Sequence, residues 1–292
     1  MIVSWILGGL GNQMFQYAAG RAVAARCQQP YRLDLSGFEN YALHQGFEID
    51  RIFSAPVTLA TARDVRAGLG WRSGKLTRKV LKRVNSALIN GPNLAMEPHF
   101  NYWPGLQKMG PTCYLMGYWQ SERYFKDYEN LLRADFSFKL PLDGANLEAS
   151  KRIQEEQSIS LHVRRSDYLT HAATAKILNV CSLEYYRSAI EYMAERVPYP
   201  HFFIFSDDLQ WAKSNLNIPY PVSYIEGNKG LRSYIDMQLM SMCGHQIIAN
   251  SSFSWWGAWL NNNQKKNVVA PREWFRNGID DRDLVPPEWV RL

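Results

Sequence analysis

The sequence predicts an α/β protein of two domains, each built around a parallel sheet. The chain has 292 residues, about twice the ~150 residues of a typical single domain. Short apolar runs alternate with amphipathic segments in both halves, a pattern that favours parallel strands joined by helices. The sequence Lys139-Leu-Pro-Leu-Asp-Gly144 between the halves is polar and turn-rich. We therefore place the boundary near residue 148, with domains at residues 1–147 and 148–292.

The first half opens with a strand, a glycine turn and a helix. Residues 2–7 form an apolar run that Gly8-Gly-Leu-Gly11 closes, and residues 14–26 carry apolar side chains at helical spacing. A second strand at residues 31–35 completes a βαβ unit. Residues 58–82 are expected to be helical, and residues 114–119 are expected to form a further strand.

The second half repeats the alternation of strand and helix. We expect strands at residues 158–163, 201–206, 222–225, 246–249 and 267–270. Helices are expected between them, at residues 183–196, 210–216, 234–243 and 253–260. Such units would build a second doubly wound sheet, whose ligands bind at the carboxyl ends of its strands.

Composition excludes several classes of protein. With 46% hydrophobic and 21% charged residues, the chain is neither disordered nor fibrous. The four cysteines lie far apart, without zinc-ligand spacing or a disulfide framework, which indicates a reducing compartment. No apolar run approaches the ~20 residues that cross a bilayer, and the N-terminus lacks the features of a signal peptide. We expect a cytoplasmic protein.

The net charge of +6 is concentrated in one segment. Residues 65–96 contain seven basic residues and no acid: Arg66, Arg72, Lys75, Arg78, Lys79, Lys82 and Arg83. Apolar residues among them form a second face, so peripheral contact with an anionic membrane is one interpretation and a solvated helix face is another. A basic protein that binds glycan or nucleic acid without turnover is a third reading. Because no nucleic-acid fold signature accompanies the segment, we expect no nucleic-acid partner.

Three polar segments follow predicted strands of the second half, and together they describe an anion and nucleotide site. They are His162-Val-Arg-Arg-Ser-Asp167, Ser206-Asp-Asp208 and Asn250-Ser-Ser-Phe-Ser-Trp-Trp256. Two arginines offer rigid forks of N–H donors that match a diphosphate. A helix that starts with serines favours negative charge, and paired aspartates accept from ribose or guanine.

Each segment also has a structural reading. The arginines could form an ion-paired loop with Asp167, and Asp207-Asp208 could cap a helix. Trp255, Trp256 and Trp259 are interpreted as core packing of a helix in preference to sugar-stacking surfaces.

The glycine turn of the first half departs from the common phosphate-binding motifs. Gly8-Gly-Leu-Gly-Asn-Gln13 is neither GxGxxG nor a P-loop, so it is either a packing turn or a close approach to a ligand. Asn12 and Gln13 at a helix start favour a hydroxyl-rich ligand.

Five segments in this order resemble the bacterial α-1,2-fucosyltransferases of glycosyltransferase family eleven. They are Gly-Gly-Leu-Gly-Asn-Gln-Met-Phe-Gln-Tyr-Ala (8–18), Gly-Tyr-Trp-Gln-Ser-Glu-Arg-Tyr-Phe (117–125), His-Val-Arg-Arg-Ser-Asp-Tyr (162–168), Phe-Ser-Asp-Asp (205–208) and Asn-Ser-Ser-Phe-Ser-Trp-Trp-Gly-Ala-Trp (250–259). The resemblance implies a GT-B-like fold, with two doubly wound Rossmann-like domains facing a cleft. It also implies GDP-fucose as donor, a galactose-terminated glycan as acceptor, inversion at the anomeric carbon and no metal or other cofactor.

The same resemblance assigns the site residues. Arg164 and Arg165 would hold the diphosphate. Asn12, whose amide lies at a helix start, is predicted to join them as a catalytic residue. The glycine turn would face the fucose and the acceptor. The donor-binding set is Gly9, Gly11, Gln13, His162, Asp167, Ser206, Asp207, Asp208, Asn250, Ser251, Ser252, Phe253 and Ser254.

The chemistry can proceed without a metal because arginines can neutralise the charge that grows on departing GDP. Asp281-Arg-Asp283 has the spacing of a metal-binding DxD motif, but it lies near the C-terminus and not after a strand. The motifs do not identify the general base for the acceptor hydroxyl. The sequence alone does not distinguish among four candidates in the first domain, which are Asp34, Glu39, His44 and Asp50. A GT-B transferase that uses another nucleotide sugar is the alternative enzyme.

Overall fold

The structure is a computed structural model that describes residues 1–39, 41, 44–74, 91–165, 177–178, 180–276 and 278–292. Its contacts divide the chain into two compact units. Unit 1 is Met1–Lys139 with Arg282–Leu284, and unit 2 is Leu140–Asp281 with Val285–Leu292. The division lies slightly before the boundary expected near residue 148. Residues 75–90 of the basic segment and Asp167 of the arginine motif lie outside the described residues.

Unit 1 is an α/β unit with one parallel sheet. Its strands are β1 (Ile2–Trp5), β2 (Tyr31–Asp34), β3 (Leu94–Met96) and β4 (Cys113–Met116), and its helices are α1 (Leu10–Cys27), α2 (Ile49–Ile52), α3 (Ala62–Leu69) and α4 (Glu129–Asp135). Short 3-10 helices lie at Ser36–Phe38, Gly70–Ser73, Pro104–Lys108, Glu122–Tyr124 and Lys126–Tyr128. The strand order is β2-β1-β4-β3, and all pairs are parallel. The opening βαβ unit is confirmed, whereas β3 was not predicted.

Helix α1 packs directly against the first two strands. Gly20 lies where the helix meets them: a Cβ atom there would stand 2.0 Å from Ser4 Oγ and 2.5 Å from Tyr31 Oη. The Tyr31 hydroxyl donates to the Tyr17 carbonyl at 3.0 Å, which ties β2 to the helix. Because only glycine permits this approach, α1 is anchored close to the sheet, and its N-terminus is fixed beside the end of β1.

Unit 2 contains a larger parallel sheet. Its helices are α5 (Gly144–Glu155), α6 (Leu183–Ala194), α7 (Leu209–Asn215), α8 (Tyr234–Met242) and α9 (Ser252–Leu260), with a 3-10 helix at Gly230–Arg232. Its strands are β5 (Gln157–Val163), β6 (Pro200–Ser206), β7 (Val222–Tyr224), β8 (His245–Ile247), β9 (Val268–Ala270) and β10 (Val290–Arg291). The five predicted strands and four predicted helices of this half are confirmed. Helix α5 packs on α8, so the chain joins unit 2 before residue 148.

The strand order of unit 2 places a topological switch beside β5. The order is β10-β9-β8-β5-β6-β7, so the chain runs outward from β5 through β6 to β7 and then returns to β8 on the other side of β5. In open parallel sheets, ligands bind outside the carboxyl ends of the strands at such a point. The edge where β5, β6 and β8 end is therefore the expected binding site of this unit.

Buried apolar residues of β5, β6, α6 and α7 form the core of unit 2, with Phe202, Ile204 and Tyr186 fully enclosed. Trp255, Trp256 and Trp259 of α9 are also buried, and their rings pack on one another. Core packing by these tryptophans is confirmed. Among the described residues, no helix combines the length and apolarity needed to span a membrane.

Candidate active site

The structure brings the three polar segments of unit 2 to one edge of the sheet. Val163, the last residue of β5, is in register with Ser206, the last residue of β6. On the other side, Leu161 pairs with Ile247 of β8, so the chain after both strands continues at the same level. The predicted segments that follow β5, β6 and β8 thus lie side by side at the topological switch.

The two arginines pair with the two aspartates of the neighbouring segment. Arg164 Nη1 lies 3.4 Å from Asp207 Oδ2, and Arg165 Nε lies 3.8 Å from Asp208 Oδ2. The backbone N–H of Arg165 also donates to Asp207 Oδ1 at 3.0 Å. Both arginine side chains keep partial exposure, 28% for Arg164 and 18% for Arg165. The carboxylates fix the guanidinium groups at the strand ends while solvent can still reach them.

Arg165 has a second support on the first turn of α7. Its guanidinium carbon lies 3.8 Å from the centre of the Trp211 ring, a cation–π distance. Asp208 caps the same helix, since Asp208 Oδ1 accepts from the Trp211 N–H at 3.1 Å. Ser206 Oγ accepts from the Asp208 N–H at 2.9 Å. The helix-cap reading therefore holds for Asp208, and contact of Ser206, Asp207 or Asp208 with a donor stays a prediction.

His162 is buried beside the arginines, with 5% of its surface exposed. Burial, with a smaller contribution from the positive charge of Arg164, lowers its pKa to about 3. Its ring is therefore neutral at physiological pH. The Nδ1 atom is buried without a hydrogen-bond partner among the described residues, and the Phe253 ring lies 6.1 Å away. His162 can offer a polar atom to a ligand but no charge.

The segment after β8 divides into residues that hold the loop and residues that lie closer to solvent. Asn250 is buried: its Nδ2 donates to the Trp274 carbonyl at 3.0 Å, and its Oδ1 accepts from the Cys181 thiol at 3.4 Å. Ser251 caps α9, and Ser254 Oγ donates to the Ser251 carbonyl at 3.4 Å. Ser252 and Phe253 are half-buried in the first turn. Within this segment, Ser252 is the polar side chain with partial exposure, and its hydroxyl can donate to an anion.

The glycine turn of unit 1 has its own geometry. Gly8 has φ +96°, and a Cβ at Gly9 would lie 3.2 Å from the His44 ring. Asn12 Oδ1 accepts from Gln120 Nε2 at 2.8 Å, and Gly11 is buried in the first turn of α1. The positive φ explains the glycine at position 8, because a side chain there would be strained.

The side chain of Gln13, which was predicted to contact the donor, is bonded within unit 1. Its Nε2 donates to the carbonyls of Gly8 and Gly46 at 2.9 and 2.8 Å, and its Oε1 accepts from the Glu48 N–H at 2.9 Å. The residue is 0% exposed. Both amide donors are used internally, so the structure gives Gln13 a positioning role in place of the predicted donor contact.

The four candidate bases differ in accessibility. Asp34 is buried and accepts from the Tyr114 hydroxyl at 2.6 Å and from the Ser36 N–H at 2.9 Å. Glu39 and Asp50 are exposed, whereas the His44 ring lies against Gly9. His44 is thus the member of this set that lies against the glycine turn.

Sequence reasoning missed two carboxylates. Glu97 follows β3, and its pKa is raised to about 7 by burial. Asp236 of α8 also has a pKa raised to about 7 by burial, and its Oδ1 accepts from Asn228 Nδ2 at 2.8 Å. Asn228 lines an open cavity of about 320 Å³ after β7 with Asp143, Asn146, Glu226 and Arg232. The turn Glu226-Gly-Asn-Lys-Gly230 after a predicted strand was the available sequence signal for this cavity.

The DxD-like aspartates are engaged in ion pairs. Asp281 pairs with Arg291 at 2.7 Å and accepts from the Trp274 N–H at 2.6 Å. Asp283 pairs with Arg123 at 2.6 Å. Within the described residues, no group of three or more His, Cys, Asp and Glu side chains is arranged to hold a metal ion. Metal independence stays a prediction.

Unit 2 thus carries paired arginines at the topological switch of its parallel sheet, where open α/β sheets bind ligands. The solved structure of NodZ α-1,6-fucosyltransferase co-crystallised with GDP is similar to this chain, with a TM-score of 0.52 and 15% identity, and the match covers 88% of this chain and 90% of that one. NodZ comes from Bradyrhizobium. The fold is therefore GT-B-like.

Sequence comparison gives the family. The sequence model of glycosyl transferase family 11 matches residues 97–292. The chain is 36% identical to the alpha-1,2-colitosyltransferase of Escherichia coli, over 100% of this chain and 99% of that protein. It is 32% identical to the O-antigen biosynthesis glycosyltransferase WbnK of Escherichia coli, over 99% of each chain. The chain belongs to glycosyl transferase family 11 and is a glycosyltransferase.

Proposed function

We propose that the protein is an inverting α-1,2-fucosyltransferase that moves fucose from GDP-fucose to a galactoside hydroxyl of a surface polysaccharide. The observation that carries the proposal is the arginine pair at the end of β5, held by Asp207 and Asp208 at the topological switch of unit 2. Two fixed guanidinium groups suit the diphosphate of a nucleotide sugar. The GDP of co-crystallised NodZ supports a guanosine nucleotide.

In this proposal, the arginines act on the leaving group. As the bond between the fucose C1 and the diphosphate breaks, negative charge grows on GDP, and preorganised guanidinium groups stabilise it. The N-terminus of α9 adds the positive end of the helix dipole, and the half-buried Ser252 adds a hydroxyl group. Neutral His162 adds a hydrogen-bonding atom without repelling the arginines. A single displacement by the acceptor oxygen then inverts the anomeric carbon.

A second donor is favoured by one relative. The alpha-1,2-colitosyltransferase matches the whole chain at 36% identity. Colitose is L-fucose without its 3-hydroxyl group, so GDP-colitose would place the same diphosphate and the same C1 in the site. GDP-colitose is therefore the alternative donor, and the arginine contacts would be identical for both.

Three observations support the linkage and the acceptor class. The colitosyltransferase is named for an α-1,2 linkage, and WbnK is named for O-antigen biosynthesis. The galactoside rests on the resemblance of five segments to the α-1,2-fucosyltransferases. A β-galactoside in a lipid-linked polysaccharide repeat unit fits all three.

The test is nucleotide release with a panel of donors and acceptors. GDP-fucose, GDP-colitose, GDP-mannose and UDP-galactose are each incubated with β-galactoside acceptors, GDP or UDP is quantified, and the product linkage is determined by NMR. We expect acceptor-dependent GDP release from GDP-fucose and an α-1,2-linked product. Faster turnover of GDP-colitose would assign the alternative donor. Binding without turnover of any donor would make the chain a non-catalytic binding protein and would reject the proposal.

A further inference from the structure

A serine, a histidine and a glutamate of unit 2 form a linked group away from the arginine pair. Ser223 lies in β7, His201 lies in β6, and Glu156 directly precedes β5. His201 is near the amino end of β6, about 16 Å along the strand from Ser206, since each strand residue adds ~3.3 Å. The nucleotide site proposed above lies at the Ser206 end, so the group is separate from that site.

The register of the sheet places the serine and the histidine on one face. Ser223 pairs with Phe203, and His201 precedes Phe203 by two residues, so the three side chains point to the same side. The His201 ring stacks on Phe203 at 4.6 Å between centroids. The C-terminal end of α5 packs on this face, because Arg152 Cζ lies 5.9 Å from the centre of the Phe203 ring. Glu156, which follows α5, thereby reaches His201.

Two hydrogen bonds join the three side chains in series. His201 Nε2 lies 2.9 Å from Ser223 Oγ, and His201 Nδ1 contacts Glu156 Oε2. Burial lowers the His201 pKa below its usual value of 6.5, with the Glu156 charge raising it and the Arg152 charge lowering it by smaller amounts. The ring is therefore neutral at physiological pH. A carboxylate only accepts, so Nδ1 carries the proton, and Nε2 accepts from the Ser223 hydroxyl.

This series of bonds is the arrangement that activates a serine. A hydroxyl within ~2.6 to 3.2 Å of a base, with the base oriented by a third group, is the signature of a serine nucleophile on unrelated folds. Arg152 Nε lies 3.4 Å from Glu156 Oε1 and helps to hold the carboxylate. The His201 side chain is 12% exposed, and Ser223 is half-buried. A small acyl group can reach the hydroxyl, whereas the base is shielded from solvent.

The backbone beside the serine offers a donor for an oxyanion. β7 is the last strand in the order of the sheet, next to β6. The Phe202 N–H donates to the Pro221 carbonyl, and the Ile225 N–H donates to the Ile204 carbonyl. Because backbone groups of successive strand residues alternate in direction, the Tyr224 N–H points away from β6, toward the open edge. In α/β-hydrolases, the N–H of the residue after the nucleophile stabilises the oxyanion.

We propose that Ser223, His201 and Glu156 form a second catalytic site, which hydrolyses carboxylic esters with a small acyl group. Ser223 Oγ attacks the carbonyl carbon of the ester, and its proton moves to His201 Nε2. The bond from that carbon to the alcohol oxygen breaks, and the alcohol leaves with the proton from Nε2. Water then attacks the acyl-serine and gives a proton to Nε2. The bond to Oγ breaks, the carboxylic acid leaves, and Oγ regains the proton.

A fluorophosphonate probe tests the nucleophile in the wild-type protein. Such probes phosphonylate serines that a base activates, and mass spectrometry of peptides locates the modified residue. We expect labelling at Ser223, together with hydrolysis of p-nitrophenyl acetate that the label abolishes. The internal control is Ser241, a half-buried serine of unit 2 whose hydroxyl donates to the Gln238 carbonyl at 2.7 Å. Absence of label at Ser223 would overturn the proposal, and this result depends on no variant.

Substitutions separate the site from background hydrolysis of the ester. General acid–base catalysis by a side chain contributes about 100-fold to 10,000-fold, so release of p-nitrophenol by Ser223→Ala and by His201→Gln should fall about a hundredfold or more. Ser241→Ala should hydrolyse the ester at the wild-type rate. A folded Ser223→Ala protein with unchanged hydrolysis would contradict the proposal. GDP release from a nucleotide sugar should be unchanged in Ser223→Ala, so the esterase and the transferase succeed or fail independently.

Glu156 acts through His201, and the pH profile of ester hydrolysis tests this role. The base must be neutral, so kcat/KM should be constant above pH 6.5 and fall at lower pH. In Glu156→Gln, the charge that raises the His201 pKa is lost, so the fall should move to lower pH while the rate decreases. A wild-type profile that already falls between pH 8 and 7 would reject His201 as the base. Identical profiles in both proteins would reject the role of Glu156.

Discussion

The Arg164 guanidinium and the Asp207 carboxylate form an ion pair across the carboxyl ends of β5 and β6, with 3.4 Å between Nη1 and Oδ2. The ion pair follows from the strand register. Val163 and Ser206 are partners at the ends of β5 and β6, and Arg164 and Asp207 are the next residues along the chain. Asp207 also accepts from the Arg165 N–H. One carboxylate therefore contacts the Arg164 side chain and the Arg165 backbone, which holds the start of this loop against the end of β6.

Replacement of Arg164 by lysine tests whether the fork matters. Lysine keeps the charge but loses the planar, bidentate donors, and the loss of one contact to a transition state costs about 3 kcal/mol, or a hundredfold or more in rate. We expect kcat to fall by that factor while acceptor KM changes little, since charge grows on GDP as the bond breaks. Arg165→Lys should be damaging as well.

The control for Arg164→Lys is Arg152→Lys. Arg152 also lies in unit 2 and forms an ion pair at 3.4 Å, with Glu156. Its replacement should leave kcat unchanged. Near-normal kcat in a folded Arg164→Lys enzyme would make the pair structural and would move the donor site away from the end of β5.

Trp211→Leu tests the second support of Arg165. The ring lies 3.8 Å below the guanidinium, and a cation–π contact of this kind contributes about 1 kcal/mol. We expect kcat/KM for the donor to fall about fivefold. Tyr192→Leu removes an equivalent contact, at 3.7 Å from Arg196, and should not change kcat/KM. Equal losses in both variants would point to a general effect of losing an aromatic ring.

Much of the fold could be predicted because buried parallel strands are short, continuous apolar runs. The run at 202–205 was visible for this reason, and the polar residues after it marked the strand end. Strands β3 and β10 were missed: Leu94–Met96 and Val290–Arg291 are too short to show a pattern, and they become strands through their pairing with β4 and β9. Strand pairing depends on residues that are distant in sequence, so a local sequence pattern does not predict it.

The site was predictable to the level of segments and not of side chains. Strand-end polar groups converge by topology, so their location followed from the strand assignments. Whether an amide meets a ligand or the backbone depends on distant residues: Gln13 donates to Gly46, and Asn250 donates to Trp274. Glu97 was missed together with β3, because its position at a strand end is visible only when the strand is known.

Metal independence is tested with a chelator. Arginines and a helix N-terminus can balance the leaving diphosphate, and Asp281 and Asp283 are both engaged with arginines. We expect full activity in EDTA. Activity that is lost in chelator and restored by added Mg²⁺ or Mn²⁺ would revive the two aspartates as metal ligands.

Membrane contact by the basic segment is tested with vesicles. Seven basic residues without an acid predict reversible binding to anionic lipid that weakens as salt rises. Neutral replacements of Lys75, Arg78, Lys79, Lys82 and Arg83 should abolish co-sedimentation with phosphatidylserine vesicles. Unchanged co-sedimentation of that variant would remove the membrane from the list of partners.

His162 makes unit 2 sensitive to acid. Its pKa is lowered from 6.5 to about 3 in the folded protein by burial, so the unfolded chain takes up a proton that the folded chain cannot accept. The stability that a neutral His162 contributes is fully present above pH 6.5. It is lost progressively as the pH falls from 6.5 through 3.

His162→Asn removes this linkage, and His99→Asn, at an exposed position, is the control. Relative to His162→Asn, the wild type should lose about 1.3 kcal/mol of unfolding free energy between pH 7.5 and 5.5. The reason is that only the unfolded wild-type chain takes up a proton at this histidine. Urea unfolding at pH 7.5, 6.5 and 5.5 measures it. A difference that stays constant over this range would mean that His162 takes up its proton in the folded state, and the buried ring beside Arg164 would then carry a charge.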